Sequence, residues 1–169
     1  MSKLNLSKGL IDLFNSQSDE GFTLIELIIV ILILGILSAM VLPSTLRQAA
    51  KAREVEGKNN IGLLIRAQQV YHFETTTFAS TVSDLLNNVN IQGEYFNFPN
   101  PTLATNVIVK HQAIAINPTN DLVRNYAGGV YFNNGTFAVA VCESSNVNVA
   151  VEVPSVISDP CTNGGKRIK

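Results

Sequence analysis

A nearly uninterrupted run of apolar residues from Phe22 to Leu42 dominates the hydropathy pattern of the chain. Only Thr23, Glu26 and Ser38 interrupt it. Roughly 21 helical residues rise about 30 Å, the hydrocarbon thickness of a bilayer, so the run predicts one membrane-spanning helix. A carboxylate at the centre of such a helix costs about 3 kcal/mol and less toward an end. Glu26 therefore needs a structural or functional reason.

After Pro43 the pattern becomes amphipathic with helical spacing, which predicts that the helix continues to about Phe73. Gly57 and Gly62 weaken this continuation. The stripe expected to face a sheet comprises Leu46, Ala49, Ala50, Ile61, Leu64, Ile65, Gln68, Tyr71 and His72. The charged side chains expected to fill the rest of the surface are Arg47, Lys51, Arg53, Glu54, Glu56, Lys58 and Arg66.

The second half of the chain is rich in β-forming residues. An irregular connection over residues 74–100, with a short helix near Thr81–Asn87, is expected to precede it. Strands are predicted at Asn106–Asn117, Tyr126–Phe132, Thr136–Cys142 and Val147–Val153. Asn133-Asn134-Gly135 predicts a hairpin turn, and Gly128-Gly129 a strand distortion. The expected fold class is α+β, with one face of an antiparallel sheet of about four strands on the helix and the other in water.

Length and charge limit the possible functions. The chain has 169 residues, which leaves room for one small domain beyond the membrane segment. Its formal net charge is −1, so the composition gives no electrostatic basis for nucleic-acid binding by the whole protein. The basic ending Lys166-Arg167-Ile168-Lys169 is weak support for contact with DNA, and a solvated terminus is the simpler interpretation.

The two cysteines, Cys142 and Cys161, lie close together near the end of the chain. A bridge between them would close a loop of about 20 residues and stabilise it by roughly 3 kcal/mol, in an oxidising compartment. The alternative is a pair of reduced thiols in a cytosolic domain. The small size of the domain favours the disulfide.

Motifs for catalysis or metal binding are not found in the sequence. His72 and His111 are the two histidines, and neither has neighbouring Cys, His or acidic residues at metal-ligand spacing. Both are expected to be packed or exposed histidines rather than ligands. Because no phosphate-binding glycine loop or nucleophile-elbow serine is present either, we expect no enzyme activity, no metal and no cofactor.

The start of the apolar run carries a specific motif. A polar leader ends at Gly21 and is followed by Phe-Thr-Leu-Ile-Glu and the membrane segment. This arrangement resembles the processing site of type IV prepilins. The resemblance implies cleavage after Gly21 by a membrane prepilin peptidase, which also methylates the new N-terminus at Phe22. It divides the chain into a leader (1–21), a transmembrane and filament-core helix (22–42), an amphipathic continuation (43–74) and a β-rich head (75–169).

Cleavage at this position would supply a partner for Glu26. The new amine of Phe22 is positively charged at neutral pH, and it could pair with Glu26 of the same helix. The resemblance instead implies pairing with a neighbouring subunit, where a misregistered contact would leave a buried charge unpaired. A third possibility is that Glu26 only extends to the lipid headgroups. Gly35 and Pro43 are expected to kink or loosen the helix.

The resemblance implies a type IV pilin, the structural subunit of a surface filament that serves adhesion, twitching motility or DNA uptake. Such a subunit is a single-pass inner-membrane protein before assembly and an extracellular pilus component afterwards. Its partners would be further copies of itself, the prepilin peptidase, the pilus assembly machinery and membrane lipid. The segment Ala67–Tyr71, with Phe78-Ala79 after it, is also similar to cyanobacterial-type pilins.

Two alternatives remain open from the sequence. A pseudopilin of a type II secretion system has the same leader and helix, but major pseudopilins often carry a calcium site near the C-terminus. After Val153 this chain has Asp159 as its one acidic residue, which favours a pilin. A single-span membrane protein with a ligand-binding head would leave Gly21 uncut.

Overall fold

A computed structural model describes residues 22–85, 91 and 93–169 of the chain, except for the side chains of Leu42 and Pro43. The predicted leader and Gly21 lie outside the described residues. The chain divides into two compact units, Met1–Pro43 and Ser44–Lys169.

The first helix, α1, extends from Leu24 to Thr75 and is assigned as continuous helix. It passes through Gly57 and Gly62, so these glycines do not end it. The helix ends because Thr76 adopts a positive φ of 63°, and the Thr76 amide donates a 2.8 Å hydrogen bond to the His72 carbonyl. The predicted end near Phe73 is close to the observed one. The kink at Gly35 and Pro43 stays a prediction.

An antiparallel sheet forms most of the second unit, with strand order β1-β3-β4-β5-β6 and β2 paired to β3. Its strands are β1 (Phe96–Asn97), β2 (Leu103–Ala104), β3 (Ile108–Ala115), β4 (Tyr126–Asn133), β5 (Thr136–Glu143) and β6 (Lys166–Arg167). A short helix, α2 (Pro118–Asp121), connects β3 to β4. Single 3₁₀ turns occupy Ser83–Leu85 and Thr162–Gly164. The fold class is therefore α+β as predicted. Among the described residues the sheet has three long strands and three strands of two residues, rather than about four strands.

The predicted hairpin is confirmed between β4 and β5. Asn133 pairs with Thr136, which leaves Asn134 and Gly135 as a two-residue turn. Both adopt positive φ, 47° and 81°. This turn matches the right-handed twist of the strands, and Asn-Gly is the sequence that adopts it most readily.

The inner face of the sheet packs on the second half of α1. Ile61, Leu64 and Ile65 of the predicted stripe are buried there, whereas Leu46 and Ala49 are exposed. Their contacts in the core are with side chains of the sheet and its connections: Phe78, Ala79, Leu85, Phe96, Val109, Ala113, Ala115, Val123, Tyr126, Val130 and Val141. The apolar stripe thus identified the correct side of the helix, but it begins to be buried only at Ala50.

Gly128 and Gly129 do not distort β4, contrary to the sequence-based expectation. Both pair regularly with β3 and β5. A Cβ at Gly128 would lie 2.5 Å from Cγ2 of Ile61 in α1, and one at Gly129 would lie 2.7 Å from Cγ2 of Val153 on the other face. These glycines therefore allow close packing on both faces of the sheet.

The outer face of the sheet is also covered, so the prediction of a wet face was wrong. A second cluster buries Ala127, Tyr131, Ala140, Cys142, Val151, Val153 and Cys161. The covering segment includes the predicted strand Val147–Val153, which forms no strand. Its alternation of buried valines is real, but Glu152 exchanges hydrogen bonds with Thr162 instead of with a neighbouring strand.

The basic end of the chain pairs with β5 at the edge of the sheet, where the predicted strand Val147–Val153 is missing. β6 pairs Arg167 with Cys142 and Lys166 with Glu143. Beyond it, Ile168 and Lys169 exchange backbone hydrogen bonds with Val141. Lysine and arginine are suited to an exposed edge strand because they discourage further strand addition. The tail is therefore attached to the sheet through its backbone rather than free in solvent.

Two acids of α1 that were expected on the charged face hold the sheet instead. Glu54 is buried and accepts a hydrogen bond of 3.2 Å from the Arg124 amide just before β4. Glu56 accepts bonds from the amides of Tyr95 and Phe96 at β1. These carboxylates satisfy backbone donors at β1 and just before β4, which a polar-versus-apolar pattern does not reveal.

The buried side chain of Gln68 attaches the connection after α1 to the helix. Its amide oxygen accepts from the Ala79 amide at 2.9 Å, and its amide nitrogen donates to the Ala79 carbonyl at 3.0 Å. The same nitrogen lies 2.8 Å from Nε2 of His111. His111 and His72 are both buried, as packed histidines, and His72 stacks near Phe78 and Phe132. Gln68 thus connects α1, the following segment and β3.

Candidate processing and assembly site

The first described residues, Phe22 and Thr23, precede α1 and are not helical. Phe22 is 78% exposed. Gly21, the predicted cleavage position, lies outside the described residues, so the predicted cut and methylation stay predictions. The described residues include Phe22, on the C-terminal side of that bond, and the first turn of α1.

Thr23 and Glu26 form a reciprocal capping box at the start of α1. The Thr23 amide and hydroxyl donate to Oε2 of Glu26 at 3.0 and 2.9 Å. In return, the Glu26 amide donates to the Thr23 hydroxyl at 3.4 Å. A threonine at the N-cap and a glutamate three residues later satisfy backbone donors that the helix itself leaves unpaired, and the negative charge is favourable at this end of the helix dipole.

This arrangement gives Glu26 a local role that the sequence interpretation missed. The spacing Thr-x-x-Glu before an apolar run was the available signal, but Thr23 was treated only as an interruption of the run. Both side-chain hydrogen bonds use Oε2, and within the described part of the chain none is found to Oε1. The carboxylate can therefore cap its own helix and accept one more donor.

The apolar side chains that follow have no core of their own. Large apolar residues between Leu24 and Val41 are 38% to 75% exposed. Over the described residues, α1 is the one helix whose length and composition would allow it to cross a membrane. So much exposed apolar surface requires lipid or other protein chains around it.

The predicted disulfide between Cys142 and Cys161 is confirmed. Their Cα atoms are 5.9 Å apart, and the bond links β5 to the segment that covers the outer face. No group of three His, Cys, Asp or Glu side chains that could hold a metal ion occurs within residues 22–85, 91 and 93–169. The disulfide thus holds the segment that covers the outer face of the sheet against β5.

Two family models match the chain. One, described as type IV pilin-like G and H, matches residues 54–162. The other, described as the prokaryotic N-terminal methylation motif, matches residues 17–42. The first covers well over half of the chain, and the second includes Gly21, Phe22 and Glu26.

Curated relatives fall into two groups. The type IV major pilin protein PilA of Myxococcus xanthus is 35% identical over 72 residues, which is 43% of this chain and 32% of that protein. The type IV wide pilus major component PilA4 of Thermus thermophilus is 31% identical over 70 residues, 41% of this chain and 53% of that one. The type II secretion system core protein G of Vibrio cholerae is 28% identical over 115 residues, 68% of this chain and 61% of that one. The matches thus span between about a third and three fifths of these relatives' own lengths.

Proposed function

Because the chain belongs to the type IV pilin-like family, we propose that it is a pilin, cleaved after Gly21, methylated at the amine of Phe22 and assembled into a type IV pilus. The family consists of structural subunits rather than enzymes. The apolar helix and the family together indicate membrane anchoring, and the proposal adds that the helix later leaves the membrane for the filament core. Surface location, adhesion, motility and DNA uptake belong to the filament and are part of the proposal.

The observation that carries the proposal is the position of Glu26 at the start of an exposed apolar helix. In a filament core the carboxylate is surrounded by the apolar residues of other subunits, where an unpaired charge costs several kcal/mol. Oε2 is already used by Thr23, and Oε1 is left for the amine of Phe22. We take this amine to be that of a neighbouring subunit, so that the ion pair sets the register of assembly.

Many identical subunits can use this contact without forming a closed ring. The acceptor, Glu26, and the donor, the Phe22 amine, are different groups, so each subunit can donate to one neighbour and accept from another. Such heterologous contacts produce an open helical filament when the rotation does not close. The exposed apolar surface of α1 would then be buried by the same contacts.

Substitution of Glu26 tests the role of the charge. Glu26→Gln keeps the size and the acceptor oxygen that caps the helix, but it cannot form an ion pair with an amine. We expect normal membrane insertion and a loss of surface fibres of about tenfold or more, because an amine is left buried without its counter-charge. Shear-released fibres are quantified by immunoblot and electron microscopy.

Thr23→Val is the matched control, because it removes the hydroxyl of the capping box and leaves the charge. Its fibres should exceed those of Glu26→Gln several-fold. Wild-type amounts of fibre from Glu26→Gln, with loss in Thr23→Val, would show that capping rather than charge explains Glu26, and the register role would be rejected.

A pseudopilin of a type II secretion system is the second candidate, favoured by the similarity to core protein G over 68% of this chain. The pilin is preferred because the segment after Val153 is organised by the disulfide at Cys161 and holds one acid, Asp159. Calcium needs six or more oxygen ligands, and carboxylates usually supply several of them. Long fibres produced in the absence of a secretion system support the pilin, and short fibres that require one support the pseudopilin.

A further inference from the structure

A cavity in the second unit has three cations and one acid among its seven lining residues. It measures about 280 Å³ and lies between α1 and the segment that leads from α2 into β4. Its charged lining residues are Arg47, Lys51, Glu54 and Arg124. The rest of its lining is apolar, from Ala50, Leu122 and Val147.

The one carboxylate of the cavity is already engaged. Glu54 accepts from the Arg124 amide at 3.2 Å and lies 3.9 Å from Nζ of Lys58. The Arg124 guanidinium donates to Glu143 at 2.8 Å and stays 45% exposed. Arg47 and Lys51 are exposed, and within the described part of the chain no carboxylate lies within 4 Å of either. The cavity therefore carries excess positive charge with unused N–H donors.

The position of these cations along the chain limits what can reach them. Arg47 is five residues beyond Leu42, the last residue of the predicted membrane segment, and Lys51 is nine residues beyond it. Five helical residues rise about 7.5 Å, comparable to the roughly 5–8 Å of headgroup region on each side of the hydrocarbon core. Even a fully extended chain would keep Arg47 within about 18 Å of that end. Arg47 is thus held near lipid phosphates whenever the segment spans a bilayer, and Lys51 lies about one helical turn further along α1.

We propose that this cavity binds the phosphate of an anionic phospholipid headgroup while the subunit is in the membrane. Arginine presents parallel N–H donors that match phosphate oxygens, and lysine adds a compact charge. The proposal requires the membrane-anchored state but not filament assembly, so it can fail or succeed independently of the proposed function.

Lipid retention by the full chain tests the site. Unassembled protein is reconstituted in nanodiscs of equal parts phosphatidylglycerol and phosphatidylcholine, and the lipids that stay bound are counted by native mass spectrometry. Wild type should retain phosphatidylglycerol preferentially. The double variant Arg47→Gln, Lys51→Gln should lose this preference by about tenfold or more, since each juxtamembrane cation contributes severalfold to anionic-lipid binding.

A second double variant, Arg66→Gln, Lys166→Gln, removes the same charge from exposed positions outside the cavity and should retain the preference. An equal loss in both variants would show unspecific attraction and overturn the site. No preference in wild type would also overturn it. If the cavity variant keeps the preference but makes fewer fibres, the cations contact a carboxylate of another copy, and the lipid proposal is wrong.

Discussion

The Thr23–Glu26 pair shows that Glu26 caps its own helix, and in the proposed assembly the same carboxylate would also pair with an amine. The sequence identified Glu26 because a carboxylate in an apolar run is costly, and the charged partner predicted for it, the amine of Phe22, stays a prediction. The structure adds a partner within the same turn, Thr23. Sequence reasoning sought a charged partner and overlooked a neutral one three residues away. In the proposed assembly, the amine of Phe22 would neutralise the charge that Thr23 leaves on Glu26.

His111 illustrates a residue whose surroundings could not be predicted. Its strand position did not indicate its partner, because that partner is Gln68 of α1, which is distant in the sequence. The two contacts between Gln68 and the Ala79 backbone fix the amide so that its nitrogen faces Nε2 of His111. Nε2 must then accept, and in the neutral ring the proton resides on Nδ1, a buried atom without a hydrogen-bond partner in the described part of the chain.

The burial of His111 predicts a pH dependence of stability. Burial lowers the pKa of His111 from 6.5 to about 4. The unfolded chain therefore takes up a proton at higher pH than the folded chain, and the free energy of unfolding should fall as the pH drops from about 6.5 to about 4. The loss is on the order of 3 kcal/mol. Urea unfolding of the full chain in detergent, followed between pH 7 and pH 4, measures it.

His111→Gln keeps an acceptor for Gln68 but does not titrate in this range. Its stability at pH 7 should be lower than that of wild type, and its decrease between pH 7 and pH 4 should be smaller. An identical pH dependence of the two proteins would show that His111 is not the group responsible.

At the scale of elements, the sequence predicted the helices, strands and turns that are determined by local sequence patterns. Periodicity and turn chemistry predict α1, β3, β4, β5 and the Asn-Gly turn. The two-residue strands β1, β2 and β6 are too short to leave a pattern. In the segment Val147–Val153, apolar and polar residues alternate as in a strand, but the backbone forms no strand hydrogen bonds. Such alternation indicates which side chains are buried and not which backbone groups pair.

The contact between α1 and β4 predicts opposite effects for two glycines. Gly128→Ala would place Cβ 2.5 Å from Ile61 Cγ2 and 2.9 Å from Ile65 Cδ1, so the helix or strand must shift. We expect a loss of about 1–3 kcal/mol in the free energy of unfolding, as for overpacked cores. Denaturant unfolding in detergent measures the change.

Gly62→Ala is the control in the same region. The nearest atom to its Cβ is the flexible Nη2 of Arg66 at 3.8 Å, so alanine fits and should stabilise α1 by up to about 1 kcal/mol through helix propensity. If Gly128→Ala is as well tolerated as Gly62→Ala, the close packing described between α1 and β4 is incorrect.

The disulfide between Cys142 and Cys161 is expected to hold the segment that covers the outer face of the sheet. Cys142→Ala together with Cys161→Ala should reduce the free energy of unfolding by about 2–4 kcal/mol and increase hydrogen exchange at Val151 and Val153. Ser145→Ala, which loses one exposed hydrogen bond to Asn163, should change stability by about 0.5 kcal/mol or less. If hydrogen exchange at Val151 and Val153 is unchanged in the double variant, the disulfide does not hold the covering segment on the sheet.

At the scale of the whole molecule, the chain combines a processing motif, an apolar helix without a core and a small fastened head. The motif and the helix were evident from the sequence because they consist of consecutive residues. The burial of both faces of the sheet was not evident from the sequence. It depends on the last part of the chain, which is linked to β5 by the disulfide and by the pairing of β6.

The proposed function depends on cleavage that makes Phe22 the N-terminus of the subunit. Intact mass and N-terminal sequencing of the protein isolated from its native membrane and from shed fibres test this most directly. We expect a chain that begins at Phe22 and is one methyl group heavier than its unmodified sequence. A protein from both sources that retains Met1, or in which Phe22 is still joined to Gly21, would contradict the proposed function and leave a single-span membrane protein as the better description.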